Sequence, residues 1–312
     1  MGRFRHQSSL VAALAIAIGV AICVGSAQTI KSDVRLVQLL VSVKDARGEL
    51  VGSLEKPDFT VYDNGVKQEV AVFEHHTEVP LSVSLLIDTS GSTSTNLRYE
   101  TTSLEKFLRA LLREGNPGDS VALYAFNDEV TRLNSFTRRE QRLIDSLKEL
   151  RGNAGTSFYD AVHLASRDLT RRDGRHVIVA VTDGGDTTSV KKYADAFESA
   201  QNANAIIYPI LVIPITNDAG RNLGGERALE TLATGTGGRV FQPMGAAALD
   251  EAFTEILRDL RTQYLVAYYP RNVPADAPRF HLVKVELERK DLRATTRTGY
   301  YGDAPPAGKA SR

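Results

Sequence analysis

The sequence is poor in sulfur and lacks the largest aromatic side chain. Among 312 residues there is one cysteine, Cys23, and no tryptophan. A single cysteine cannot form a disulfide within the chain, so stability must come from hydrophobic cores and bound ions. The absence of tryptophan removes a residue typical of membrane-interface belts and base-stacking surfaces.

The chain also has no excess of charge of either sign. Its 38 basic residues balance 38 acidic residues, and 42% of all residues are hydrophobic. Without a basic excess, we expect no nucleic-acid partner. The composition is that of a globular protein, and the length allows one sizeable α/β domain with something smaller beside it.

The N-terminus has the pattern of a secretory signal. Arg3 and Arg5 precede an uncharged apolar run at residues 10–24, and small residues follow at 25–27. We predict a signal peptide over residues 1–27, because the run is shorter than the ~20 residues that span a bilayer. An uncleaved anchor is the alternative. The mature chain is then exported, periplasmic or secreted, with no membrane span.

Two segments rich in short strands flank a longer central segment. Residues 28–80 and 263–302 show alternating apolar patterns and turn residues, including a predicted strand at 294–301. We infer that they pack together as one β-sandwich with residues 81–262 inserted between them. Two separate β units are the alternative. Residues 303–312 are rich in proline, glycine and alanine, which predicts a flexible tail.

The central segment alternates strands with helices. Buried strands are predicted near residues 81–87, 121–126 and 177–182, with amphipathic helices between them and a short strand at 239–242. This alternation predicts an α/β fold, with a doubly wound, mostly parallel sheet and helices on both faces.

Polar residues follow two of these strands and open one helix. Asp88, Ser90 and Ser92 follow the first strand, Thr156 precedes a helix, and Asp183 follows a later strand. Because ligands bind at the carboxyl ends of parallel strands, these side chains form a candidate site. Carboxylate and hydroxyl oxygens suit a hard cation such as Mg²⁺.

Together, these segments resemble the von Willebrand factor type A domain and its metal-ion-dependent adhesion site. The resemblance implies five ligands for one divalent cation: Asp88, Ser90, Ser92, Thr156 and Asp183. It also implies Mg²⁺, or Mn²⁺ or Ca²⁺, with an Asp or Glu carboxylate of a partner protein filling an open coordination position. The flanks at residues 58–66 and 264–270 are similar to those of bacterial secreted proteins related to this family.

Each of these residues also has a structural explanation. Asp88 and Asp183 could be ordinary turn residues, and Thr156 could cap its helix. Asp160 is expected to support the site loop and Asp186 to lie near its rim. Two further interpretations concern other regions: His75 and His76 form a solvated connector, and residues that choose a partner lie near Asn96, Asp128 or Asp218.

The function that these features favour is an exported, non-enzymatic protein-binding or adhesion module. The alternative is a structural or assembly protein that binds through its β domain, with a metal that only stabilises loops. A metal-dependent hydrolase ranks last, because no Gly-x-Ser-x-Gly or phosphate-binding motif occurs. The predicted metal loops also offer no His or Glu as a general base.

Overall fold

A parallel α/β sheet with helices on both faces and a β-sandwich make up the described part of the chain. The computed structural model describes residues 36–75, 79–91, 97–212, 222–272 and 279–302. The predicted signal peptide and tail lie outside these ranges. The strands are β1 (Val37–Lys44), β2 (Phe59–Asp63), β3 (Val66–Gln68), β4 (Val70–Glu74), β5 (Leu81–Asp88), β6 (Ser120–Phe126), β7 (Val130–Thr137), β8 (Arg175–Thr182), β9 (Ala205–Leu211), β10 (Tyr264–Tyr268), β11 (Phe280–Leu287), β12 (Arg293–Thr295) and β13 (Gly299–Tyr301). The α-helices are α1 (Leu97–Glu114), α2 (Glu140–Lys148), α3 (Phe158–Leu169), α4 (Tyr193–Asn202), α5 (Leu223–Thr236) and α6 (Ala246–Arg261), and residues Lys56–Asp58 form one 3-10 turn.

The central sheet has the strand order β7-β6-β5-β8-β9. Neighbouring strands run parallel, except that β7 pairs antiparallel with β6 at one edge. Every residue of β5 is buried, because helices cover both of its faces. Val83 and Leu85 face one hydrophobic core and Leu86 faces the other.

The helices divide between the two faces according to their apolar stripes. Leu108 of α1, Leu147 of α2 and Phe253 of α6 belong to one core. Val162 of α3 and Leu232 of α5 belong to the other, together with the buried alanines of α4. This arrangement is the predicted α/β fold, with helices on both faces of the sheet.

The terminal strands form two four-stranded sheets that share a core. Their orders are β12-β1-β10-β4 and β13-β11-β2-β3, so each sheet mixes strands from both ends of the chain. Phe59, Val61, Tyr264 and Val283 are among the buried residues of the common core. The β-sandwich built from N- and C-terminal strands is therefore confirmed.

One buried carboxylate connects several strands of the sandwich. Asp63 is fully buried at the end of β2, and its Oδ2 accepts hydrogen bonds from the hydroxyls of Tyr268 (3.0 Å) and Tyr300 (2.7 Å). The ring Nδ1 of His281 lies 3.1 Å from Asp63 Oδ1. Asp63 thus belongs to the strand, and the positive φ angles that make the turn fall on Asn64 and Gly65.

Two predicted strands differ from the structure. The segment 294–301 divides into β12 and β13, because Thr298 N donates to Gly235 O (3.0 Å) and Arg297 Nη1 donates to Asn204 Oδ1 (2.6 Å) instead of continuing a ladder. Residues 239–242 contribute an isolated bridge between Phe241 and Ile210 rather than a strand.

His75 is not part of a solvated connector. Its ring packs against Phe73 and Tyr264, with centroid distances of 5.1 and 5.4 Å, and its Nε2 lies 3.6 Å from the carboxylate of Glu55. His76 is outside the described residues. Among the helices that the structure describes, none is long and apolar enough to cross a bilayer.

Candidate metal centre

Three loops meet at the carboxyl end of the central sheet. Strands β5 and β8 run in parallel with Ile87 opposite Val181, so the residues that follow them emerge at the same edge. The loop before α3 joins them through a bridge between Ser90 and Asn153, and Asn153 N donates to Thr89 O at 2.9 Å. This edge is where an open α/β sheet binds ligands.

Asp88 is buried at the end of β5, with 1% of its surface exposed. Its Oδ1 accepts a hydrogen bond from Ser90 N (2.8 Å) and its Oδ2 accepts one from the Thr182 hydroxyl (2.7 Å). The net pKa of Asp88 is raised from 3.8 to about 6, because burial and, to a smaller extent, the charge of Asp183 outweigh the hydrogen bonds from Thr182 and Ser90. A nearby cation would favour the ionised form.

Thr156 is held by the loop that follows β8. Its amide N lies within hydrogen-bond distance of the hydroxyls of Thr187 (3.0 Å) and Thr188 (3.2 Å), and its carbonyl accepts from the amides of the same two residues. Ser157, not Thr156, occupies the N-cap position of α3. Gly155, directly before Thr156, has a φ angle of +83°, and a side chain at position 155 would press against Asp128. The capping explanation for Thr156 is therefore wrong.

Asp183 and Thr156 direct oxygens to the same place from different loops. Asp183 is partly exposed, and its Oδ1 accepts a hydrogen bond from Gly185 N at 3.2 Å. A methyl group added to Gly185 would lie 3.4 Å from Asp183 Oδ1 and 3.9 Å from Thr156 Oγ1. A carboxylate oxygen and a hydroxyl oxygen therefore approach the same point beside this glycine from two loops.

The structure places four of the five predicted ligands at this edge. Asp88, Ser90, Thr156 and Asp183 lie on the three adjoining loops, and Ser90 is 3% exposed. Ser92 lies outside the described residues, as do Asn96 and Asp218. The assignment of these side chains as metal ligands stays a prediction.

Two neighbouring carboxylates support the loops. Asp160 accepts hydrogen bonds from the amides of Val190 (2.9 Å) and Lys191 (2.8 Å). Asp186 Oδ2 accepts from the amide of Tyr159 (2.9 Å), at the start of α3, and from the hydroxyl of Ser189. Asp186 thus fastens its loop to the helix, although it was expected as a rim residue.

Glu100, in the first turn of α1, is the residue that sequence reasoning missed. It is 1% exposed, and neither of its carboxylate oxygens has a hydrogen-bond partner among the described residues. Burial, together with the charges of Asp88 and Asp183, raises the pKa of Glu100 from 4.5 to about 8. The signal in the sequence is the helical period, which places position 100 on the same face as Leu104 and Leu108.

The donor set fits a hard divalent cation. The side chains that the structure brings to this edge offer oxygen atoms only, from carboxylates and hydroxyls, as Mg²⁺ and Ca²⁺ prefer. No three Asp, Glu, His or Cys side chains of the described residues converge closely enough to chelate an ion by themselves. Hydroxyl oxygens and water would therefore have to complete the coordination of an ion held here.

Comparison with known families agrees with this geometry. Residues 83–185, from within β5 to just after β8, match the model of the von Willebrand factor type A domain. The match covers less than half of the chain, and it contains all five predicted ligands of the candidate centre. These residues are therefore similar to the von Willebrand factor type A domain. A search of curated proteins gave no match.

Solved structures show similarity at low identity. The vWF domain of the type V pili tip protein Mfa5 from Porphyromonas gingivalis is 16% identical, covers 64% of this chain and 100% of its own, and has a TM-score of 0.48. The conserved hypothetical protein BatB from Bacteroides thetaiotaomicron is 16% identical, with 58% and 100% covered and a TM-score of 0.47. The pilus adhesin SpaC from Lactobacillus rhamnosus GG is 11% identical, with 84% and 41% covered and a TM-score of 0.49.

Proposed function

We propose that this protein is an exported, non-enzymatic binding module that grips a carboxylate of a partner protein through a divalent cation. The ligands are the residues Asp88, Ser90, Ser92, Thr156 and Asp183, and the ion is Mg²⁺, with Mn²⁺ or Ca²⁺ as substitutes. The observation that supports this most strongly is the convergence of Asp183 Oδ1 and Thr156 Oγ1 at the sheet edge where Asp88 ends β5. Export, to the periplasm or the medium, rests on the N-terminal sequence pattern.

The predicted ligands would have different roles in such a site. Asp88 and Asp183 supply two negative charges, which balance a divalent ion, while hydroxyls add neutral oxygens. Asp88 is buried and Asp183 is partly exposed, so the exposed side of the site is the side a partner can reach. When bound, the cation would supply a Lewis-acidic position to which an Asp or Glu carboxylate coordinates.

Calorimetric titration of Mg²⁺ and Mn²⁺ into chelator-treated residues 28–312 tests the site. We expect one saturable ion per chain in the natural sequence. Asp183→Asn should weaken binding at least about tenfold, because it removes one of the two charges that balance the ion. Asp88→Ala should abolish measurable binding.

Asp145→Asn is the matched control for loss of a carboxylate. Asp145 lies on α2 with 57% of its side chain exposed, in an ion pair with Lys148, and its variant should bind like the natural protein. If the natural chain binds no ion, the cation site is wrong, and binding through the sandwich strands becomes the leading function.

A second experiment tests the bridge to a carboxylate. With Mn²⁺ bound, a short peptide bearing an aspartate or glutamate should displace metal-bound water and reduce the enhancement of water proton relaxation. The same peptide with asparagine or glutamine should not. If neither peptide changes the relaxation, the ion only stabilises loops, as in the structural alternative.

A further inference from the structure

Glu100 is a buried carboxyl group to which no described residue donates a hydrogen bond. Its side chain comes from the first turn of α1, which packs on the sheet through Leu104 and Leu108. The side chain is 1% exposed, and both carboxylate oxygens are buried without a hydrogen-bond partner among the described residues. A buried carboxylate of this kind costs several kcal/mol unless it is paired or neutralised.

Other buried carboxylates in the described chain are paired. Asp63 accepts from two tyrosine hydroxyls, and Asp168 accepts from the Tyr124 hydroxyl (2.9 Å) and the guanidinium of Arg132 (2.8 Å). Asp88 accepts from an amide and a hydroxyl. Glu100 therefore differs from these other buried carboxylates because no described residue donates a hydrogen bond to it, and not because of its burial.

Two of the predicted ligands contribute to the electrostatic environment of Glu100. Asp88 and Asp183 are the two groups whose charges disfavour its ionised form, and both are predicted ligands of the cation. A cation held by these two aspartates would reverse the local potential and supply the missing counter-charge.

We propose that Glu100 is a positioning residue of the cation site, whose carboxylate accepts hydrogen bonds from water bound to the cation on its buried side. The inference rests on the proposed cation site. Water is the intermediary because Glu100, Asp88 and Asp183 do not converge closely enough for three carboxylates to chelate one ion. Mg²⁺ retains several waters in protein sites, and such waters need acceptors.

This role has a consequence for stability that a purely structural carboxylate would not have. Without the cation, the buried Glu100 carboxyl group destabilises the folded chain. Glu100→Gln should therefore leave the melting temperature in chelator equal to or above that of the natural chain. With saturating Mg²⁺, the natural chain should gain more in melting temperature than the variant, because it binds the ion more tightly.

The experiment compares the natural chain with Glu100→Gln, Glu100→Asp and Glu105→Gln. Each is titrated with Mg²⁺ and Mn²⁺ by calorimetry and melted in chelator and in saturating Mg²⁺. We expect Glu100→Gln to bind one ion about tenfold or more weakly, in the range for outer-shell partners. Glu100→Asp should recover part of the affinity. Glu105→Gln, which removes a partly exposed carboxylate from the same helix, should match the natural chain.

Three outcomes would overturn the inference, and they can be told apart. If the natural chain and Glu100→Gln bind the ion with equal affinity, Glu100 has no part in the site, although the site itself stands. If the natural chain binds no ion, the cation site fails and Glu100 fails with it. A Glu100→Gln chain that melts equally far below the natural chain in chelator and in Mg²⁺ would show a structural role only.

Discussion

Two buried carboxylates at the candidate metal centre are compensated in different ways. Asp88 receives an amide and a hydroxyl hydrogen bond, whereas Glu100 has no described donor. The pKa of Asp88 accordingly rises only to about 6, while that of Glu100 rises to about 8. Without a cation, Glu100 is therefore the one of these two carboxylates that keeps its proton up to the higher pH.

We predict that Glu100 makes the cation-free protein less stable as the pH rises. Its folded pKa of about 8 lies above its ordinary value of 4.5, so between these values the folded state holds a proton that the unfolded state has lost. The free energy of unfolding should then fall by up to about 1.4 kcal/mol per pH unit across this window. Urea unfolding in chelator at several pH values measures the slope.

Glu100→Gln should lose this component of the slope, and Glu105→Gln should keep it. Equal slopes in the natural chain and Glu100→Gln would contradict the prediction, because other groups would then account for the pH dependence.

At this scale, the sequence indicated the candidate residues whose types form a motif. Asp88, Ser90, Thr156 and Asp183 follow strands or open a helix, and those positions alone bring them to one edge. Glu100 carries no such mark, because a glutamate near the start of a helix is ordinary. Its role depends on which face of α1 meets the sheet, which is a property of tertiary packing.

The loop after β8 is fixed by glycines that leave no room for a side chain. Gly184 adopts φ +90°, and a methyl group on Gly225, in the first turn of α5, would overlap the carbonyl oxygen of Gly184. Gly184 directly follows Asp183. Close contact between α5 and this loop therefore helps to set the position of a predicted ligand.

We predict that Gly225→Ala destabilises the protein by about 1–3 kcal/mol, the usual cost of overpacking. It should also weaken cation binding, because the loop carrying Asp183 must shift. Gly224→Ala is the control, since its nearest atom would be at an ordinary 3.5 Å, and alanine should stabilise the helix by about 0.5–1 kcal/mol. Urea unfolding and calorimetry measure both effects, and similar results for the two variants would refute the close contact.

The elements were largely predictable, except where a strand changes sheet. Alternating and continuous apolar runs indicated the central strands β5, β6 and β8 and the amphipathic helices between them. The segment 294–301 reads as one strand, but Arg297 and Thr298 bond to Asn204 and Gly235 of the α/β part. No local pattern marks this break, because its partners lie far away in the sequence.

At the scale of the whole molecule, the sandwich depends on both ends of the chain. β10 lies between β1 and β4, and β11 pairs with β2. Neither N-terminal strand of the first sheet pairs with the other. The N-terminal β segment therefore has no complete sheet of its own.

We predict that a chain ending at residue 262 loses order in its N-terminal β segment. Limited proteolysis should cleave residues 36–75 about tenfold or more faster than in the full chain, because β1 and β4 lose their shared partner. A chain ending at residue 302, which keeps all thirteen strands, is the control and should resist like the full chain. Equal resistance of both truncated chains would show that the N-terminal strands fold alone.

The chain passes between the sandwich and the inserted domain twice, after β4 and before β10. These two passages also determine how the molecule carries a mechanical load. The end of β4 lies beside the start of β10, with Glu74 opposite Leu265. Arg175, at the amino end of β8, bonds to the carbonyls of both Pro80 and Leu260, so both passages reach the sheet edge opposite the candidate centre. A partner pulling on that centre would draw β4 and β10 in the same direction. Tension would then be shared by two covalent connections instead of one.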